Sequence, residues 1–394
     1  MTKWIFIEPF DTVFFRDGKP FDAGNDFVSF SIFPPSPSTF YGALRTYIIM
    51  QYSNLSNFRS DTKITNVVGT DANNLGSLKI YGPYLYKKEL SPFLLFKAPL
   101  DIMQRDRIVI NLIPSSVSSG LTDLEANNKI KINLALPSDF TSNEAFEEPE
   151  EFGDYFTEDE IRAYLSGQFS SIHLKIKDFF KNEHKVGITI DKSTRTAEKH
   201  MLYSSPHIRL NNVGFVIGTE DDGNFVSDNG SFHLGGDNRT VRFENIPEFE
   251  AKIDSLKQIV SSQLKTQSSK RIKFILLTPG RFKNGWYPDF LNKNNENELE
   301  GTLPNTNIKL KLVSCVLGKP DYCGGFDMAN KYPKKMEKIV PSGSVYFFEV
   351  LNNNEDWINT LLENYFFKSI ESDEVLLKQG FGQILIGGWQ DEYK

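Results

Sequence analysis

The opening of the chain restricts its fold more than any other stretch, because Trp4 to Ile48 reads as a strand, an irregular polar loop and then a helix. Trp4–Phe10 mixes aromatic and β-branched residues and meets Pro9, which has no N–H for a sheet ladder, so a first strand is predicted there. The helix has a marked start: Ser36 suits the N-cap and Pro37 the first helical position, where its missing N–H costs nothing. Phe40, Leu44, Tyr47 and Ile48 recur at i, i+4, i+7 and i+8, so one helical face packs on a sheet and Arg45 lies off it. Two features go beyond packing. Gly42 costs about 1 kcal/mol relative to alanine inside a helix; either a ligand or another backbone approaches there, or the helix sits tightly on its own sheet. The free N–H groups of Ser38 and Thr39 lie at the positive end of the helix dipole, where phosphate is readily held.

With 394 residues, two domains are expected at roughly 100 to 200 residues each. Leu78–Tyr86 resumes strand character, with Pro92–Phe96 as its hairpin partner. Residues 101–157 run into an acidic stretch from Glu144 to Glu160, read as a solvated insertion that repels polyanions, or as a dock for a basic partner. A short helix from Thr157 or Glu158 to Gly167 precedes strands at Lys185–Asp191 and Met201–Tyr203, then at His207–Leu210 and Gly214–Gly218. Strand, helix, paired strands, helix, strand is the order of a ferredoxin-like unit, which places a first domain at 1–218. Residues 219–394 read as a second, decorated unit. It holds a glycine-centred hairpin at Ser231–Phe243, a helix over Pro247–Leu264, and strands at Ile272–Leu277, Lys309–Leu317 and Ser344–Val350. A helix at Trp357–Phe366 and a glycine-rich close at Gly380–Trp389 follow. The expected class is α+β: two ferredoxin-like, RRM-like domains with insertions.

Net charge is −7, so no global field draws this chain to a polyanion, and any such contact must be local. The 33 Phe and 15 Tyr suit cores and base stacking alike. Cys315 and Cys323 are too few for a disulfide framework or a four-cysteine zinc site, which matches a reducing cytoplasm. No signal peptide and no apolar run of about 18 residues is seen, so no membrane association is expected. Of His173, His184, His200, His207 and His233, none has metal-site spacing, and no metal or cofactor is expected. His200 with Lys199 or Arg195 is the candidate set for metal-independent phosphodiester cleavage, against the plainer reading of structural histidines. Lys192, Arg195, Lys199 and His200, among Ser193, Thr194 and Thr196, suit phosphate positioning or describe a solvated hairpin tip balanced by Glu198. Arg239 and Arg242 beside Gly235 and Gly236 pose the same choice, as do Lys331, Lys334, Lys335 and Lys338. Gly380–Gly382 with Gly387 and Gly388 either lets a polyanion approach the backbone or makes a tight turn; it lacks P-loop spacing.

The run Phe15–Phe21, followed by Phe33-Pro34-Pro35 and Gly42–Arg45, resembles the N-terminal signature of the third-subunit family of the Cmr complex, RAMP-superfamily components of type III-B CRISPR interference. Gly187–Asp191 with Thr194–Glu198 and Met201–Tyr203, Leu234–Gly236 before Arg239, Leu277–Pro279 with Gly285-Trp286, Pro341–Tyr346 and Gly380–Gly382 are similar to that family in order and spacing. Residues 101–157 carry none of it. The resemblance implies two RAMP-type ferredoxin folds and no nuclease activity. It implies a clamp that holds the repeat-derived 5′ tag of crRNA, beside the large Palm-domain, polymerase-like subunit and the first backbone RAMP subunit. By motif position, the RNA-binding residues implied are Arg16, Lys19, Ser38, Thr39, Arg45, Lys192, Arg195, Arg239, Gly380, Phe381 and Gly382. Sheets of the RRM kind offer a stacking platform for single strands. A guide-processing endoribonuclease on a related fold and a protein scaffold with little RNA contact are the alternatives.

Overall fold

The computed structural model describes residues 2–16, 30–88, 93–105, 108–115, 130–138, 154–169, 174–191, 193–267, 269–327, 332–351 and 356–390, with backbone alone at 105, 108, 189, 197–203, 326 and 327. In chain order the first part places β1 (Lys3–Pro9), α1 (Pro37–Tyr52), α2 (Thr62–Val68), β2 (Lys79–Lys87), β3 (Phe93–Lys97), β4 (Ile102–Arg105), β5 (Ile108–Ser115) and β6 (Leu134–Pro137). There follow β7 (Tyr155–Phe156), α3 (Glu158–Leu165), β8 (Phe180–Ile190), β9 (Ala197–Leu210), β10 (Val213–Glu220), β11 (Asn229–His233) and β12 (Thr240–Asn245). The second part begins with α4 (Phe249–Thr266), β13 (Arg271–Leu276), β14 (Asn292–Lys293), β15 (Leu299–Thr302), β16 (Lys309–Val316), β17 (Asp321–Cys323) and β18 (Phe326–Asp327). It ends with β19 (Tyr332–Pro333), β20 (Glu337–Ile339), β21 (Val345–Val350), α5 (Trp357–Tyr365), α6 (Glu374–Lys378) and β22 (Ile384–Gly388).

The protein is α+β, built on two antiparallel sheets. The first runs β11–β12–β1–β10–β2–β3–β7 and the second β14–β15–β16–β21–β13–β22. Numbered by chain order, the central four strands run 4-1-3-2 in both, as β12–β1–β10–β2 and β22–β13–β21–β16. Among the described residues each sheet lacks one crossover helix: none lies between β10 and β12, and none between β13 and β16. Helix α4 joins the two, burying Phe249, Ile253, Leu256, Val260 and Leu264 at helical spacing.

Alternation along β1 serves both sides of the first sheet. Ile5 and Ile7 join Phe40, Leu44 and Ile48 of α1 in one core, while Trp4 and Phe6 join Tyr84, Tyr86 and Phe249 in a second core that continues to Phe274, Phe348 and Trp389. Both faces of this sheet are therefore covered. An open RRM-type stacking platform is not available on it, contrary to expectation.

Two placements depart from the strand order read in the sequence. The paired strands at Lys185–Asp191 and Met201–Tyr203 do form, but β8 and β9 pair with each other as a long two-stranded arm outside the main sheet, with one bridge from Ile208 of β9 to Val13. The glycine-centred hairpin Ser231–Phe243 forms too, yet β12 pairs with β1, so the first sheet draws on sequence as far as Asn245, past residue 218. Part of 101–157 is structured: β4, β5 and β6 make a small sheet, and Asn133 donates to the Val313 carbonyl at 2.9 Å while its own carbonyl accepts from the Ser314 hydroxyl at 2.8 Å. The acidic run at 144–151 lies outside the described residues. No described helix is long and apolar enough to cross a membrane.

Candidate nucleic-acid interface

Segments far apart in sequence meet at the root of the arm. Val13 exchanges backbone hydrogen bonds of 2.9 and 2.7 Å with Ile208 of β9. Phe33 lies against Phe180 of β8 with ring centroids 4.5 Å apart, and the Gly236 N–H in the β11–β12 turn donates to the Phe14 carbonyl at 2.8 Å. The opening loop is pinned across itself, since the Ile32 N–H donates to the Phe15 carbonyl at 2.8 Å and the Phe15 N–H to the Ser31 hydroxyl at 3.0 Å. Arg16 bridges to Ser31 here and is exposed. Arg239 approaches from the turn, its Nη1 3.9 Å from Asp11 Oδ2, and its buried Nε has no hydrogen-bond partner.

Charge at this corner is largely organised by Arg209. Its guanidinium bonds to Asp11 Oδ1 at 2.7 Å and to both oxygens of Glu183, and those bonds hold both carboxyls below their usual range while raising Arg209 itself. Lys185 Nζ donates to the Thr12 hydroxyl at 2.9 Å and stands 3.7 Å from Asp11. Lys185 and Arg209 were not foreseen, because their position at the root follows from the β8–β9 register and no local pattern marks it. His207 is fully buried there, stacked on Phe14, with Nε2 3.1 Å from Asp237 and Nδ1 3.4 Å from Thr12 Oγ1. Burial, then Arg239 and Lys185, push its pKa down, so the neutral ring acts as a structural wedge.

Arg195 occupies the exposed far end of the arm, in a left-handed conformation at φ 54°. The hydroxyls expected to meet phosphate there build the turn instead. Asp191 Oδ1 accepts from the Ser193 N–H at 2.7 Å, the Thr194 N–H at 3.0 Å and the Ser193 hydroxyl at 2.6 Å, which lowers its pKa to about 2. Thr194 and Thr196 bond to each other at 2.8 Å. Between root and tip, Val186, Ile188 and Ile190 are exposed by 52 to 67% on one face of β8.

Lys19, Lys192, His173 and Lys331 lie outside the described residues, as do the side chains of Lys199 and His200. Ser36 is the N-cap residue of α1, but its hydroxyl does not cap; it meets Cys323 Sγ at 3.3 Å and the Ser38 hydroxyl at 3.0 Å. The Thr39 N–H donates to the Ser36 carbonyl at 3.0 Å and so is not free for an anion. Gly42 is exposed with open space around it, so tight packing on its own sheet is not its reason. Arg45 donates to the Gly69 carbonyl at 3.3 Å.

Gly380, Phe381 and Gly382 form a joint within the chain. Phe381 is buried, and a Cβ on Gly380, at φ +89°, would stand 2.6 Å from the Gly82 carbonyl. One on Gly382, at φ +64°, would stand 2.7 Å from Glu371. The close approach these glycines permit is by this chain's own atoms, a backbone carbonyl at Gly380 and the Glu371 side chain at Gly382. Fully buried Gln383 completes that joint, accepting from the Gly82 N–H at 2.8 Å and from the Tyr84 hydroxyl and donating to the Ile80 carbonyl at 3.3 Å.

Among the described residues no cluster of three or more His, Cys, Asp or Glu side chains could hold a metal ion. The arrangement is one of positioned cations and an apolar arm.

In comparison with known proteins, the CRISPR system CMR subunit Cmr3 of Saccharolobus solfataricus is 23% identical over 376 residues, covering 93% of each chain. A chain in the structure of the Type III-B Cmr-beta bound to cognate target RNA is 19% identical and covers 88% of this chain and 86% of that chain, at a TM-score of 0.44. The corresponding chain with target RNA and AMPPnP is 18% identical over the same shares, at a TM-score of 0.42. The family model of the CRISPR-associated protein Cas_Cmr3 matches residues 5–389, and the chain belongs to that family.

Proposed function

We propose that this chain is a non-catalytic subunit of a type III-B CRISPR (Cmr) RNA-guided effector complex, holding the 5′ repeat-derived tag of crRNA and docking the large polymerase-like subunit at the base of the complex. The observation that carries this reading is the meeting of the opening loop, the arm root and the β11–β12 turn, which brings Arg16 and Arg239 to the base of a projecting arm tipped by Arg195. Two of the segments that resemble the third-subunit family meet at the root, and a third forms the outer arm. With an acidic total, local cations on an arm are the form in which a single strand can be gripped. Each half is read as a ferredoxin-like unit with one crossover helix missing, supported by the 4-1-3-2 strand order. Gly380–Gly382 and Arg45, whose neighbours are the chain's own residues, are left out of the proposed contact set. Backbone RAMP subunits and the cytoplasm complete the expected setting.

The test binds end-labelled guide RNA, with the true or a scrambled tag, to the purified chain with and without its large-subunit partner across a salt series. Preference for the true tag with intact RNA is expected. Arg16→Gln with Arg195→Asn, the latter chosen because asparagine tolerates φ > 0, should flatten the slope of log K against log salt by about 1.4, at about 0.7 per single-strand phosphate. An unchanged slope removes the arm and its root from the RNA path, and shortened RNA makes the chain an enzyme.

A further inference from the structure

The basic segment around Lys334 to Lys338 belongs to a ribbon that leaves the second sheet after β16 and returns before β21. Asp321, Tyr322 and Cys323 of β17 pair with Ile339, Lys338 and Glu337 of β20, and β18 pairs with β19 further out. Residues directly opposite in an antiparallel pair share a face, and successive residues alternate. Tyr322 and Lys338 therefore share one face, and Cys323 and Glu337 the other.

The two faces differ in what they meet. Cys323 Sγ stands 3.3 Å from the Ser36 hydroxyl at the start of α1, and Glu337 pairs with Arg281, so this face is turned to the body. On the outer part of the ribbon Tyr322 is 49% and Tyr332 54% exposed, Lys335 and Lys338 are exposed, and Met336 is 37% exposed. Among the described residues none of Lys334, Lys335 and Lys338 is in an ion pair, while Glu337 is already neutralised. Asp321, at the base, alternates to the Cys323 side and accepts from the Tyr322 N–H at 2.8 Å. Among the described residues, this outer part exposes two tyrosine rings together with ammonium groups that enter no ion pair.

We propose that this outer face, centred on Tyr322, Tyr332, Lys335 and Lys338, is a second contact for single-stranded RNA, with the rings stacking on unpaired bases and the lysines tracking the backbone phosphates. Its charge complements a polyanion, and its exposed aromatics suit bases, which a single strand presents and a duplex hides. The ribbon is anchored on the start of α1, three residues beyond Phe33 at the arm root, so a strand gripped at the root has a continuation here. The proposal rests on the RNA-binding reading above and extends it to a surface outside that site.

Fluorescence anisotropy of the full chain with labelled single-stranded guide RNA, and with the same sequence as a duplex, tests it. Tyr322→Ala with Tyr332→Ala is expected to weaken single-strand binding by at least the low end of about 5- to 150-fold per lost stacking partner, with Tyr322→Phe and Tyr332→Phe restoring it. Lys335→Gln with Lys338→Gln should lower the salt slope by about 1.4 and leave the preference for the true tag intact. Unchanged affinity in the alanine variant overturns the proposal while tag preference in the wild type keeps the arm reading standing. Absence of any RNA binding removes both. Ribbon variants that bind RNA normally but fail to co-purify with the large subunit would assign the face to protein and overturn it equally.

Discussion

At the residue scale, Glu371 is a buried acid whose titration bears on stability. Burial raises its pKa to about 8 from an ordinary 4.5, with Asp289 and Asp373 adding to the rise and the hydrogen bond from the Arg281 N–H, 2.5 Å long, opposing it. Its Oε2 is buried with no hydrogen-bond partner. The folded value lies above the unfolded one, so the folded state holds the extra proton. The contribution to stability is full below about pH 4.5 and is lost as pH rises through about 8. Between pH 7 and 9 the wild type is expected to lose on the order of 1 kcal/mol through this group. Glu371→Gln keeps the acceptor for Arg281 and removes the titration, so chemical denaturation at the two pH values should show a smaller loss. Equal losses in both proteins would assign the pH dependence elsewhere.

At the scale of elements, the arm beyond its root is held by no strand of the main sheets among the described residues. A lone two-stranded ribbon is marginally stable in water, and beyond its root this one leaves Val186, Ile188 and Ile190 exposed along one face. Amide hydrogen exchange at 184–190 is expected to be fast in the free chain and to slow by an order of magnitude or more once guide RNA and partner subunits are bound. Serine at all three positions should change the free chain's stability by under about 0.5 kcal/mol per site, as exposed substitutions do, yet weaken assembly measured by co-purification. A large loss of melting temperature in the free chain would show the stripe to be packed on its own body.

At the scale of the whole molecule, the two sheets are joined by buried polar contacts that neither half could satisfy alone. Asp101 and Lys273 are fully buried and 2.8 Å apart, the Tyr164 hydroxyl lies 2.7 and 2.8 Å from the two Asp101 oxygens, and Lys273 Nζ lies 4.0 Å from the Tyr164 ring centroid. Asp101→Ala leaves a buried ammonium uncompensated and is expected to cost about 3 to 5 kcal/mol. Asp101→Leu with Lys273→Met removes both charges and should recover most of that loss in denaturant titration. If the double variant is no better than the single, the pair matters through geometry and not through charge.

Local chemistry was enough to determine β1, α1, α4, β13 and β21, since apolar spacing, Pro37 at a helix start and continuous apolar runs act within a few residues of chain. The capping box that starts α3 at Thr157 is of the same kind. Which strands pair was not local. The β8 and β9 stretches have strand character in any fold, yet the strand between β1 and β2 is β10, and β8 and β9 lie outside that sheet. The glycines at 380 and 382 promise close approach without saying to what; the answer, the Gly82 carbonyl and Glu371, depends on contact between Gly380 and a residue about three hundred positions earlier. Arg16 and Arg239 likewise come to one corner through long-range contacts, the β1–β12 pairing, the Phe10 to Thr240 bond and the Phe14 to Gly236 bond among them. Short-range pattern is enough for the main strands and helices, whereas which surfaces stay open depends on packing across the fold, because burial is set by whatever distant segment arrives to cover them.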